Sequence, residues 1–152
     1  MLEIYRPHVE SSAVSFEEEA PSVEEFAARV RGYLAQWAAL VAVDGDRVLG
    51  YAYGTRLRER AAYRWSVETT VYVASGAYRR GVGRQLYEAL LPRLASAGYC
   101  NAYAAIALPN PASERLHEAV GFTRVGNLPR VGFKFGQWHD VAWYYRPLRD
   151  MP

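Results

Sequence analysis

The sequence predicts an α+β fold, a mixed and mostly antiparallel central sheet flanked by helices, and three observations carry that expectation. Helical patterns come first, then a run of strand patterns, and then strand, helix, strand, helix and strand in alternation. At 152 residues, with 51% hydrophobic and 22% charged residues, the chain has the size and balance of one domain, residues 1–152. Aromatic residues make up 14% of it, enough large side chains to offset the entropy of ordering.

Residues 2–12 carry Ile4 and Val9 in a helical pattern that Pro7 disturbs. Ser22 and Glu25 have capping-box spacing, which starts a helix over about 23–37 with Val23, Phe26, Ala27, Val30, Leu34 and Trp37 on one face. Residues 40–43 and 48–54 read as a hairpin, its turn supplied by Asp44-Gly45-Asp46, with the Asp-Gly pair taking positive φ. The stretch Trp65-Ser66-Val67-Glu68-Thr69-Thr70-Val71-Tyr72-Val73 alternates with period two and is rich in β-branched residues, so it is the clearest strand. A small-residue basic loop, 74–83, leads into a helical face of Val82, Leu86, Leu90 and Leu94 that stops at Gly98, with Pro92 bending its last turns. Residues 100–108 form a small-apolar strand covered on both faces. Asn110-Pro111 caps and opens a short helix that Gly121 ends. Residues 122–125 and 138–148 read as strands, separated by the glycine-rich segment 126–136.

Composition removes several functions. A formal net charge of +2 is too small for a nucleic-acid binder that works by bulk counterion release. One cysteine, Cys100, rules out a disulfide framework within the monomer, and the three scattered histidines suggest no metal-ligand set. The opening Met1-Leu2-Glu3-Ile4-Tyr5-Arg6-Pro7 is charged and proline-interrupted where a signal peptide or membrane span needs an apolar run, so the cytosol is the expected compartment, without a membrane partner.

The chemistry centres on strand, basic glycine loop and helix. Gly81 and Gly83 let the backbone approach a ligand, and the helix that follows presents its free N–H groups and positive dipole end. Together these bind phosphate, and Arg79, Arg80 and Arg84 add charge-assisted contacts. A tight turn with solvated arginines fits the same residues. No Gly-Lys-Ser/Thr follows, which excludes Walker A, and the third glycine of a Rossmann fingerprint is missing.

The run Val71-Tyr72-Val73, then Tyr78-Arg79-Arg80-Gly81-Val82-Gly83-Arg84, then Asn110 and Leu116-His117-Glu118-Ala119-Val120-Gly121-Phe122 resembles the Gcn5-related N-acetyltransferase family. The likeness is closest to the phosphinothricin and methionine sulfone/sulfoximine acetyltransferase branch. It extends to Ala62-Tyr63-Arg64-Trp65, Leu108-Pro109-Asn110, Arg115-Leu116-His117-Glu118 and Gly136-Gln137-Trp138-His139-Asp140-Val141, in order from about residue 10 to the end. The resemblance implies acetyl-CoA as co-substrate and no metal. It implies that Val71, Tyr72 and Val73 hold the pantetheine arm, that Arg79, Arg80, Gly81, Val82, Gly83 and Arg84 hold the pyrophosphate, and that Asn110 contacts the thiol end. Tyr78 stands where the family loop usually has Gln or Arg.

Glu68 is the candidate general base, since a strand-borne carboxylate between apolar neighbours is costly unless paired or functional, and an amine must lose its proton before it attacks. An ion pair with Arg58, Arg60 or Arg64 is the structural alternative. His117 stands where many relatives carry a tyrosine that protonates the leaving thiolate; a capped or solvent-facing histidine is the plainer reading. Arg58 and Arg60, two apart on an extended segment, point the same way and suit a carboxylate or phosphinate, or else protect a basic sheet edge. With Tyr63 and Phe16 they match substrate positions of the branch. The expected activity is therefore N-acetylation of a small amino acid analogue. A peptide acetyltransferase and a non-catalytic acyl-CoA-binding module are the rivals. Two further expectations follow: a homodimer, because the aromatic run 138–145 exceeds what one small core buries, and a sheet without the first strand of its relatives.

Overall fold

The computed structural model describes residues 1–150. The chain opens on helix α1, Leu2–Glu10, and continues through α2, Val23–Gln36, and a hairpin of β1, Ala39–Asp44, with β2, Arg47–Arg56. Strand β3, Ser66–Val73, leads to α3, Val82–Ser96, then β4, Asn101–Ala107, α4, Pro111–Ala119, and a second hairpin of β5, Thr123–Lys134, with β6, Gln137–Pro147. The six strands form one sheet in the order β1-β2-β3-β4-β6-β5. Strands β3 and β4 run parallel, and all the other neighbours are antiparallel.

Alternation along the strands builds two cores. Val67, Ala102, Ala104, Ile106, Ala142 and Tyr144 face α3, which contributes Leu86, Leu90 and Leu94. On the opposite face Tyr51 meets Leu2, Ile4, Tyr5 and Val9 of α1 and Phe26 of α2. Glu68, one residue out of phase with Val67, therefore lies on the α1 and α2 face of the sheet, with Tyr72. Gly50 is where β2 passes closest to its neighbours: a Cβ there would stand 2.8 Å from the Tyr72 carbonyl and 3.1 Å from Val82. Gly50→Ala is expected to lower stability by about 1–3 kcal/mol, as overpacking does. Urea unfolding reads this, and an unchanged midpoint would mean that β2 can move aside.

Local signals translate directly. The Ser22 hydroxyl accepts from the Glu25 N–H at 3.2 Å, and the Glu25 carboxylate accepts from the Ser22 N–H at 2.8 Å. Asn110 accepts from the Ser113 N–H at 3.1 Å, with Pro111 as the first helical residue. Four expectations need correction. The first hairpin turns on Gly45-Asp46, and positive φ falls on Gly45 alone, because Asp44 still pairs with Arg47. On α2 only Phe26 is buried; Val23 and Leu34 face solvent, because the helix touches the sheet along a narrow line. Pro7 lies inside α1 without ending it, since Leu2, Ile4, Tyr5 and Val9 bury on both sides of the lost hydrogen bond. Finally, most of the glycine-rich segment 126–136 is strand: β5 runs through it with register shifts at Arg124/Gly126 and Leu128/Gly132. Among the described residues β1 is the sheet edge on its side, and no strand precedes it.

Candidate active site

The sheet opens in its middle. Strands β3 and β4 pair at Ser66 with Asn101, Val67 with Ala102 and Glu68 with Tyr103, and then part. Beyond Glu68 the facing backbone edges of the two strands are free to bond a ligand, because strand hydrogen bonds are not made across the gap. A cavity of about 60 Å³ occupies the gap, walled by Thr69 to Tyr72 on one side and by Ala105 to Ala107 and Asn110 on the other. Val14, from the loop after α1, closes it on one sheet face, and Tyr87 and His117 close it on the other. The predicted Val71 and Tyr72 line this cavity, and Val73 ends the same strand.

The glycine loop lies at the C-terminal end of β3. Gly81 is the N-cap of α3 at φ +77, with no side-chain cap, and the first helical bond runs from the Gln85 N–H to the Gly81 carbonyl. The N–H groups of Val82, Gly83 and Arg84 therefore have no acceptor inside the helix. Arg79 also lies at positive φ, +61, so the turn curls with its amides inward, an anion-binding shape. The two glycines do different work. Gly81 supplies the left-handed conformation, whereas a Cβ on Gly83 would meet Leu116 at 2.8 Å, so Gly83 serves the packing of α3 on α4. Arg80 lies 3.8 Å from Asp44 and Arg84 bonds Glu88 at 2.7 Å, both exposed, so the groups of the turn without an internal partner are its backbone amides.

Glu68 sits at the point of parting. Burial pushes its carboxyl above the usual value, and Arg58 pulls partly against that. Among the described residues no arginine comes within ion-pair distance of it. Arg58 instead lies over the Trp143 ring at 5.4 Å. Arg58, Arg60 and Tyr63 line one cavity of about 260 Å³ with Trp37, Arg56 and Tyr99. Phe16 is not with them: it packs on β5, where a Cβ on Gly132 would come within 2.2 Å of its ring, and against His139.

His117 is buried, and burial lowers its basicity. Its Nδ1 lies 2.7 Å from the Ser113 carbonyl, which can only accept, so the proton is on Nδ1. Nε2 is then an acceptor, and the Tyr87 hydroxyl donates to it at 2.9 Å. Burial, and Glu68 with it, raises the Tyr87 phenol well above its ordinary value and keeps it protonated. The imidazole thus has no proton to offer the cavity; the Tyr87 hydroxyl, which also lines it, has one to offer only when it turns away from Nε2. Neither Tyr87 nor Trp143 was marked by the sequence: Tyr87 adjoins the apolar α3 face, and its only signal was a polar tip one residue from Leu86. Asn110 spends its side-chain oxygen on the Ser113 cap, which leaves its amide NH₂ for a ligand.

Residues 1–143 match the family model for the acetyltransferase (GNAT) domain. A phosphinothricin N-acetyltransferase of Streptomyces coelicolor is 42% identical over 152 residues, 97% of this chain and 89% of that protein. The L-methionine sulfoximine/L-methionine sulfone acetyltransferase of Salmonella typhimurium is 34% identical over 114 residues, 75% of this chain and 67% of that protein. Among solved structures, a phosphinothricin acetyltransferase from Sinorhizobium meliloti in complex with acetyl-CoA superposes with a TM-score of 0.92 at 36% identity, covering 96% of this chain and 80% of that one.

Proposed function

This chain belongs to the GNAT acetyltransferase family, whose donor is acetyl-CoA, and on that premise we propose that it acetylates the amino group of a small amino acid analogue of the phosphinothricin, methionine sulfone or methionine sulfoximine type. One observation carries the reading: an unpaired, half-buried carboxylate, Glu68, stands where the sheet parts, with Arg58 in electrostatic reach.

The residues suit the co-substrate. The free backbone edges of β3 and β4 complement an amide-bearing arm, and the uncapped start of α3 complements a pyrophosphate. Bound there, acetyl-CoA supplies an activated acyl group. The chain does the rest. The α1 and α2 face, which carries Glu68, receives the amine, and Glu68 takes its proton. A raised pKa makes the carboxylate a better proton acceptor. N–H groups of residues 69–73 that face the gap oppose the charge that develops on the acyl oxygen. The Tyr87 hydroxyl rests on His117 Nε2 and, on turning its one proton into the cavity, donates a hydrogen bond to the leaving sulfur. Arg58 and Arg60 grip the acid group of the analogue, with Tyr63 beside them, and Phe16, apart from those three, bounds the acceptor side from the loop after α1. Arg79, Arg80 and Arg84 add long-range attraction to the phosphates around Gly81, Val82 and Gly83, and Asn110 holds the thiol end.

The test is a screen of amino acid analogues and short peptides at fixed acetyl-CoA, following release of free thiol. Turnover on methionine sulfone or phosphinothricin supports the reading, and turnover on peptides alone overturns it.

The same proposal places the chain in the cytosol as one domain, and no helix among the described residues is long and apolar enough to cross a membrane. It also makes the chain a homodimer. Phe133, Phe135 and Trp138 stand 56%, 61% and 60% exposed on the second hairpin, Phe133 and Trp138 in ring contact at 5.1 Å, apolar surface of the kind that copies of a chain bury. Sedimentation at two concentrations should give twice the monomer mass, and Phe133→Asp with Trp138→Asp should reduce it to one.

A further inference from the structure

Lys134, the last residue of β5, is 4% exposed and makes no ion pair among the described residues. Its ammonium group donates to two main-chain carbonyls far away in sequence, Val9 at 2.6 Å and Ser15 at 2.7 Å. Val9 is at the end of α1, and Ser15 is in the middle of the loop between α1 and α2. A buried lysine spent on two loop carbonyls is costly, because an ammonium leaves water reluctantly, and a surface loop rarely needs such an anchor.

What the anchor holds explains the cost. Val14 closes the cavity between β3 and β4, and Phe16 covers Gly132 and His139. Both flank Ser15, whose carbonyl Lys134 grips. The other side-chain hydrogen bonds of Ser15 and Glu17 run to α1 and α2 and not to the sheet: the Ser15 hydroxyl to Tyr5 at 2.7 Å, and Glu17 to Tyr5 at 2.8 Å and to Arg29. Lys134 is therefore the polar link from the sheet that sets the loop's height above the sheet face bearing Glu68. The phosphate-binding turn lies elsewhere, at the start of α3, and Lys134 touches nothing there.

We propose that Lys134 is a positioning residue for the acceptor amine: by holding the Val9 and Ser15 carbonyls it fixes Val14 and Phe16 as the wall of the acceptor site, and so sets acceptor affinity and size selection without touching either substrate. The proposal rests on the acetyltransferase reading above, which assigns that sheet face to the amine.

Lys134→Met keeps the length of the side chain and removes its three donors. With the full-length protein, its KM for the analogue should rise about tenfold or more, within the roughly hundredfold that an ångström of misplacement costs. KM for acetyl-CoA should stay within about twofold, since the α3 turn is remote from the change. Lys134→Arg, which keeps donors, should recover most of the loss. Gly132→Ala displaces the Phe16 ring from the other side and should weaken the same KM. A merely structural lysine would lower both affinities and kcat together, and that result overturns the proposal. Amide hydrogen exchange in the absence of substrate separates this from a wrong substrate assignment. Residues 11–19 should exchange faster in Lys134→Met while the 78–84 turn is unchanged. If no analogue is a substrate but this pattern appears, the acceptor reading fails and the clamp stands; if exchange at 11–19 is unchanged, the clamp fails whatever the substrate.

Discussion

Glu68→Gln should lower kcat by about 10²–10³-fold at neutral pH, in the range that a positioned general base contributes. Affinity for acetyl-CoA should be unchanged, because the residue faces away from the α3 turn. The pH profile carries the decisive information. Burial raises the Glu68 pKa, and Arg58 opposes part of the rise. The acid limb of kcat/KM in the wild type should therefore lie above the ordinary carboxylate range, with activity rising as pH climbs through it and Glu68 loses its proton. In the variant that limb should vanish. Folding does not confound the result. A carboxyl whose folded pKa is raised favours the folded state below its unfolded pKa and loses that contribution as pH rises through the folded value, so once ionised its charge is a burden. Removing the charge leaves the unfolding midpoint level or higher. A variant with the wild-type pH profile would end the general-base assignment.

Tyr87→Phe is the second large effect, a loss in kcat of about 10²-fold, as when one aimed donor is removed from a reacting site. The Tyr87 hydroxyl donates to His117 Nε2, and Nδ1 is already committed to the Ser113 carbonyl. Phenylalanine leaves a buried nitrogen without a donor, at a cost of about 1–3 kcal/mol in stability. Since His117 acts through Tyr87, the two changes should not add. His117→Ala in the Tyr87→Phe background should lower kcat little further, whereas independent roles would multiply. Multiplying losses would return His117 to direct contact with the reacting atoms.

Features written in short stretches of sequence were legible: the Ser22 capping box, the Asn110 cap, the alternation that puts Val67 and Glu68 on opposite faces, and the turn before Val82 all depend on neighbours within four residues. Most of the candidate site lies on such stretches. The misreadings involve distant partners. Strand β5 carries Gly126, Pro129 and Gly132, which argue against a strand, yet it is at the sheet edge with one neighbour and shifts register twice. Phe16 was grouped with Arg58 and Arg60, but Gly132 and His139 fix its position, more than a hundred residues away. Tyr87 was hidden because helical spacing reports which face is buried and not which buried hydroxyl meets a histidine thirty residues on. The sequence explains the missing Cβ of Gly83 by approach to a ligand, whereas the structure adds Leu116 as a distant reason, leaving its free N–H untouched.

The parting of β3 from β4 gives one strand two kinds of amide. Alternate N–H groups along β3 point to β2, where every residue from Val67 to Val73 has a partner; the others point to β4, where partners stop at Glu68. Solvent deuterium should enter β3 with a period of two, slow and fast amides side by side, a signature that neither a frayed strand nor a melted one produces. Acetyl-CoA should erase the alternation by protecting the fast set. The exchange map of five residues, 69–73, thus becomes a direct gauge of occupancy, readable without turnover and without knowing which amine is acetylated.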